Sequence, residues 1–158
     1  MSEDEDAARP PLHWVGFGTV AIFAAWLPLT YVAGAVSARI MAERFGRDAS
    51  KDAIALAMSA MTAGERARLL AIVALPTELA LAIAAFAGGF VVGRFGSGTG
   101  AREAAYAGAA TALIASLMAW SGITWASFVS TFVVFVVAVA FAGWGGRAGA
   151  SRRPRPAG

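Results

Sequence analysis

The chain has 158 residues, of which 58% are hydrophobic and 15% are charged, and its formal net charge is +3. Soluble domains hold about 45–50% apolar and about 25% charged residues, and a domain of this length has too little interior for the apolar excess. The composition therefore excludes an ordinary soluble domain and a disordered chain. The absence of cysteine and the single histidine exclude disulfides and Cys-based metal sites, so we expect no metal and no cofactor.

Four apolar segments are long enough to cross a bilayer, which takes about 20 helical residues. They cover about residues 14–38, 69–92, 101–120 and 125–144. None alternates between apolar and polar residues, and helices satisfy their own backbone hydrogen bonds in hydrocarbon. The sequence therefore predicts an all-α integral membrane protein with four transmembrane helices, which form one domain over residues 13–146.

Four of the five tryptophans stand at the ends of these segments, namely Trp14, Trp120, Trp125 and Trp144. Indole rings favour the headgroup level of a bilayer. We interpret the four residues as interface anchors. With four spans, Trp14 and Trp144 are expected at one face of the membrane, and Trp120 and Trp125 at the other.

The connection between the first two spans has a helical pattern of its own. The i, i+3, i+4, i+7 spacing of one helical face is followed by Ile54, Ala57, Met58 and Met61. Ser50 is a candidate N-cap, and Thr62 with Glu65 matches a capping box before the second span. We therefore expect a short amphipathic helix over residues 50–61, lying on the membrane surface or closing one end of the bundle.

The two tails carry opposite charge and are predicted to be disordered, over residues 1–12 and 147–158. Residues 1–8 hold four acids and no base, and the C-terminal tail holds four arginines and no acid. The positive-inside rule counts seven basic residues on the side of both termini against six on the other side, which is close to no decision, and the dense arginines of the C-terminal tail favour both termini in the cytoplasm. The excess of arginine over lysine, 12 to 1, with abundant alanine and glycine, indicates a bacterial chain and hence an inner membrane.

Glu78 is the only ionisable residue well inside an apolar segment, about 13 Å from Leu69 at 1.5 Å per residue. Hydrocarbon favours the neutral form of a carboxyl, which could carry a proton or bind a cation. Alternatively, Pro76 occupies the first position of the spanning helix, and Glu78 lies in its first turn near the interface. The sequence leaves both interpretations open.

Small residues at four-residue spacing predict close approach of helices in lipid. They are Gly34 in the first span, Ala85, Gly89 and Gly93 in the second, and Ala104, Gly108 and Ala112 in the third. Packing within the bundle and packing between subunits both explain these rows.

The glycine-rich connection 93–100 lacks the lysine of a Walker loop and follows no strand, so it does not predict nucleotide binding. Arg94 and Arg102 flank it. Together with the free N–H groups at the start of the third span, they are candidate ligands for a lipid phosphate. The basic tail lacks a folded platform for nucleic acid, so we expect no nucleic-acid partner.

No nucleophile–base pair, carboxylate pair or metal cluster is visible, so we expect no enzyme. The leading hypothesis is a non-enzymatic structural or accessory membrane subunit. It would act through helix–helix contacts and contacts with anionic lipid headgroups, as a homo-oligomer or within a larger complex. The alternative is a small oligomeric transporter or channel in which Glu78 couples a proton or an ion.

Overall fold

A computed structural model describes residues 12–96, 100–118 and 125–153 of the chain. Within these ranges all regular structure is α-helical and no strand occurs. Five helices follow in chain order: α1 Leu12–Phe45, α2 Lys51–Ala60, α3 Ala63–Phe95, α4 Ala101–Met118 and α5 Trp125–Ala150. The prediction of an all-α chain is confirmed.

Three of these helices are long and apolar enough to cross a membrane, namely α1, α3 and the part of α5 from Ser127 to Ala150. They suggest a membrane protein. The 18-residue helix α4 is not among them, because Arg102 and Glu103 in its first turn lower its mean hydropathy. The predicted count of four spans is therefore not confirmed.

α1 and α3 are longer than the apolar segments from which they were predicted. They have 34 and 33 residues, or about 50 Å each at 1.5 Å per residue, against about 30 Å for the hydrocarbon of a bilayer. α1 runs through Pro28 and α3 runs through Pro76 without ending there. The alternative in which Pro76 begins the spanning helix is therefore wrong, because α3 already begins at Ala63.

The predicted caps around α2 are present. The side chain of Ser50 accepts a hydrogen bond from the backbone N–H of Ala53 at 3.2 Å, and Thr62 and Glu65 form both bonds of a capping box. α2 itself has no buried residue. Its partly covered positions belong to the predicted apolar stripe, namely Ile54, Ala57 and Met58.

α1 and α3 pack antiparallel. A β-carbon added to Gly18 would lie 2.6 Å from Val92, and the hydroxyl of Ser37 donates to the carbonyl of Val73 at 2.8 Å. Later residues of α1 thus face earlier residues of α3. We call the end of the bundle at the α3–α4 connection the turn end, and the end that carries α2 the loop end.

α3 and α5 pack parallel, with backbone against backbone. A β-carbon on Gly89 would overlap the carbonyl oxygen of Ala142, and one on Gly93 would overlap that of Gly146. Two glycines of α5 meet carbonyl oxygens of α3 in the same way, namely Gly145 and Gly149. Every side chain larger than hydrogen is excluded at these positions unless the helices separate.

Packing is tight at the turn end and open toward the loop end. Within the described ranges, buried residues lie in 18–33 of α1, 80–96 of α3 and its C-cap, 100–112 around α4, and 138–149 of α5. Residues 63–79, the first half of α3, include none. α1 and α3 therefore extend from the tightly packed part as a helical pair that carries α2.

The end of α5 differs from the prediction. The span was expected to end near 144 and a disordered tail to start at 147, but α5 continues to Ala150. Beyond it, the Nε of Arg153 donates to the carbonyl of Gly93 at 2.7 Å. The prediction of disorder is therefore wrong for residues 147–153, because Arg153 binds a C-terminal carbonyl of α3. Residue 12 is helical as well, while residues 1–11 and 154–158 lie outside the described part.

Replacing Gly89 by alanine should destabilise the bundle by about 2 kcal/mol or more, because the added methyl forces α3 and α5 apart. Gly16 provides the matched control, since it is exposed and a β-carbon there meets nothing within 4 Å. Gly16→Ala should stabilise α1 by about 0.5–1 kcal/mol. Reversible unfolding in mixed micelles measures both changes. Equal stability of the two variants would contradict the backbone contact.

Candidate functional site

Glu78 lies near the middle of α3, ten residues after Arg68 and sixteen before Arg94. These separations correspond to about 15 Å and about 24 Å along the helix. The Oε2 atom of Glu78 is buried and has no hydrogen-bond partner among the described residues. A carboxyl oxygen without a partner is costly in an apolar bundle, so Glu78 is a site candidate and not a helix-start residue.

Two polar atoms of α1 are also buried without a hydrogen-bond partner in the described ranges, namely Trp26 Nε1 and Thr30 Oγ1. The two residues are four apart and lie on one face of α1. The pairing of Ser37 with Val73 places Thr30 opposite Ala80, two residues beyond Glu78. We call Trp26, Thr30 and Glu78 the midspan polar group, after the position of Glu78 near the middle of α3.

The midspan polar group offers a carboxyl, a hydroxyl and an indole N–H. Each of these groups can hydrogen-bond an ordered water, and the carboxyl can also carry a proton. No basic residue stands between Arg68 and Arg94 in α3 or within residues 14–38 of α1. A simple ion pair with those helices therefore cannot neutralise Glu78. Sequence spacing could not group these residues, because the grouping depends on the register of α1 and α3.

Six of the seven predicted packing positions lie in contacts inside the bundle. Three are fully buried, namely Ala85, Ala104 and Ala112, and three are glycines that face backbone carbonyls, namely Gly89, Gly93 and Gly108. Gly34 is the exception. It is exposed, and a β-carbon built on it would have no neighbour within 4 Å among the described residues. Packing within the bundle therefore does not explain Gly34.

No hydrogen bond or ring contact joins Arg94 to Arg102 in the described part of the structure, so the two residues do not form a pair there. Arg94 instead donates to the carbonyl of Arg152, and its guanidinium lies 5.9 Å from the ring centre of Phe95. Arg102 is exposed on α4. Sequence reasoning missed the role of Arg152 because it assigned that residue to a disordered tail.

Glu103 is a buried acid that the sequence did not reveal. It is 1% exposed, and its Oε2 has no hydrogen-bond partner among the described residues. A β-carbon added to Gly96 would lie 2.8 Å from that oxygen. The first turn of α4 offers the positive end of a helix dipole, which offsets part of the desolvation cost. Its place in the first turn could be predicted from the sequence, but its burial beside Gly96 could not.

Two of the four predicted anchors have described side chains, and both lie toward the turn end. The ring centres of Trp14 and Phe17 are 5.8 Å apart, and those of Trp144 and Phe86 are 5.4 Å apart. Trp120 and the side chain of Trp125 lie outside the described residues. In the part of the chain that the structure describes, no three His, Asp or Glu side chains come together as metal ligands.

An open groove of about 500 Å³ lies between α1 and α3 at the loop end. It combines charged and apolar residues from both helices: Ile40, Glu43, Arg44, Glu65, Arg68, Leu69 and Ile72. No sequence motif linked them, because residues so far apart in the chain meet only through the antiparallel register.

Replacing Arg153 by alanine should cost about 1–3 kcal/mol, because it removes a charged donor from the carbonyl of Gly93. Arg102→Ala removes the same charge from an exposed site and should change stability by less than about 0.5 kcal/mol. Thermal unfolding in detergent compares the two variants. If Arg153→Ala loses no more stability than Arg102→Ala, the contact with Gly93 does not hold the tail in place.

Comparison of the chain with protein-family profiles, with curated proteins and with solved structures gives no match in any of the three. Three features of the described residues are candidates for function: the midspan polar group, the exposed Gly34 and the loop-end groove.

Proposed function

We propose that the protein is a non-enzymatic membrane subunit that associates with a second copy of itself through the loop-end half of α1. The exposed Gly34 carries this proposal. It has the small size and the spacing of a packing residue, yet an added β-carbon would meet nothing within 4 Å. Small residues on a membrane helix allow another backbone to approach closely, and this contact stabilises helix pairs in lipid.

The face around Gly34 has the spacing of a helix–helix seam. Its exposed residues are three or four positions apart, except for two that are adjacent in the chain. They are Leu27, Tyr31, Gly34, Ala35 and Ala38. Tyr31 is 84% exposed, and its hydroxyl finds no hydrogen-bond acceptor in hydrocarbon chains. A second helix would bring backbone and side-chain acceptors to it, whereas lipid would not.

The proposed setting is a bacterial inner membrane with four spans and both termini in the cytoplasm. α4 supports the fourth span because it packs along α5, where a β-carbon on Gly108 would lie 2.5 Å from the carbonyl oxygen of Ala138. A bilayer that contains α5 at this level also contains α4. The apolar stripe of α2 supports a short helix that lies on the membrane surface or closes the loop end of the bundle.

Anionic lipid headgroups are the proposed partners at the turn end. Four exposed or half-exposed arginines lie there, namely Arg94, Arg102, Arg147 and Arg152. Each basic residue near an anionic surface adds about 1 kcal/mol of attraction. The same arginines support the cytoplasmic placement of this end.

Replacing Gly34 by leucine should weaken self-association at least tenfold, or about 1.4 kcal/mol, because the side chain separates the two α1 backbones. Gly16 provides the control, since it lies on the same helix and is exposed, and an added β-carbon there also meets nothing within 4 Å. Gly16→Leu should leave association unchanged. Single-molecule energy transfer in vesicles, at falling protein-to-lipid ratios, measures the dimer fraction. A monomeric wild-type chain, or equal loss in both variants, would overturn the proposal.

A small oligomeric proton- or ion-coupled transporter or channel is the second candidate. The unpartnered, buried Oε2 of Glu78 favours it, because midspan carboxyls in bundles often mark proton or ion pathways. Thr30 supplies a second oxygen near the same level. Two copies would be needed to enclose a pathway, so this candidate includes the self-association proposed above.

If Glu78 carries protons, the reconstituted protein should dissipate a pH gradient across a vesicle, and Glu78→Gln should slow this at least tenfold. Glu43→Gln removes an exposed loop-end carboxyl instead and should leave the rate unchanged. A pH-sensitive dye inside the vesicles records the flux. Absence of wild-type flux, or equal flux in Glu78→Gln, would eliminate proton coupling while leaving the subunit proposal intact.

A further inference from the structure

We infer that the loop-end groove binds the phosphate of a membrane phospholipid, with the start of an acyl chain on its apolar side. Its volume of about 500 Å³ falls in the range of about 300–1,000 Å³ for small-ligand sites. It lies between α1 and α3, where these helices extend from the tightly packed part of the bundle. The inference requires that both helices cross the membrane, and it does not depend on self-association or transport.

The two acids of the groove already have partners. Glu43 pairs with Arg39, with 2.8 Å between Oε1 and Nε. Glu65 accepts the backbone N–H of Thr62 at 2.9 Å and its hydroxyl at 2.8 Å. A ligand cation would have to compete with these contacts, so the groove is poorly suited to a positive group.

The two arginines of the groove are available to a ligand. Arg44 and Arg68 are exposed. Among the described residues neither donates a hydrogen bond nor forms a contact ion pair, and Arg44 only attracts Glu65 electrostatically without direct contact. Each guanidinium has five N–H donors in a planar fork that matches the oxygens of a phosphate. The unused hydrogen-bonding capacity of the groove is therefore cationic and favours an anionic group.

The position of the groove selects a lipid over a phosphate ion in water. Arg68 is the last charged residue before the apolar part of α3, and Leu69 and Ile72 follow it into the groove. Ile40 contributes from α1. Donors for a phosphate thus adjoin an apolar surface at the edge of the span, where a phospholipid places its phosphate next to the first carbons of its chains. Inorganic phosphate would leave the apolar surface exposed to water.

The test is native mass spectrometry of the full-length protein, released from detergent micelles that contain phosphatidylglycerol. The double variant Arg44→Gln/Arg68→Gln should retain about tenfold less bound phosphatidylglycerol than the wild type. Arg47→Gln/Lys51→Gln removes the same charge at exposed loop-end sites that do not line the groove, and it should stay within about twofold. Circular dichroism of each variant checks that the helices are intact. Unchanged retention in the groove variant, or equal loss in the control, would overturn the inference.

Two further binding measurements distinguish a phospholipid site from a site for free phosphate and from a site for acyl chains alone. Inorganic phosphate at millimolar concentration should leave bound phosphatidylglycerol in place, and displacement at that concentration would overturn the lipid assignment in favour of free phosphate. Diacylglycerol, which lacks the phosphate, should bind at least tenfold less than phosphatidylglycerol. Equal binding of the two would overturn the role of the arginines.

Discussion

The close parallel contact between α3 and α5 is the constraint on which the rest of the bundle depends. Gly89 and Gly93 leave no space for a β-carbon beside the carbonyls of α5. Lipid provides no hydrophobic drive between helices, so close packing and weak Cα–H···O contacts must supply the attraction. Two parallel neighbours also require an antiparallel helix between them in the chain, and α4 has that place. The small residues, the helix order and the alanine-rich core thus belong to one arrangement.

This contact also determines where the molecule is open. The tight packing of glycine and alanine is confined to the turn end, and toward the loop end α3 has no buried residue before Ala80. The midspan polar group lies near that boundary, while Gly34 and the groove lie on its open side. Protein sites commonly use the less densely packed part of a structure, because ligands and partners need surface that the core does not occupy. Stability and candidate function are therefore separated along the bundle axis.

Features that depend on neighbouring residues could be predicted from the sequence, and features that depend on register could not. Apolar length predicted α1, α3 and α5, and local capping signals predicted the bonds of Ser50 and Thr62. The spacing of small residues predicted Gly89 as a packing position but did not predict its partner helix, because a row of small residues does not specify which helix packs against it. Arg153 was missed for the same reason, since its acceptor lies 60 residues earlier. Pro76 does not mark the start of a helix, because the capping box at Thr62 begins α3 well before it.

The two candidate functions are physically connected through α1. Thr30 and Gly34 are four residues apart and lie one helical turn from each other. A second copy seated on the Gly34 face would replace lipid beside Thr30, and it would lower the access of water to Glu78 from that side. Removal of water strengthens every electrostatic interaction of an unpaired carboxyl, so association would change the proton or cation affinity of the midspan polar group. By linkage, occupation of that group would change the dimerisation free energy by the same amount. A dimer whose stability responds to pH would therefore place both features in one mechanism, whereas a pH-independent dimer would assign Gly34 to assembly alone.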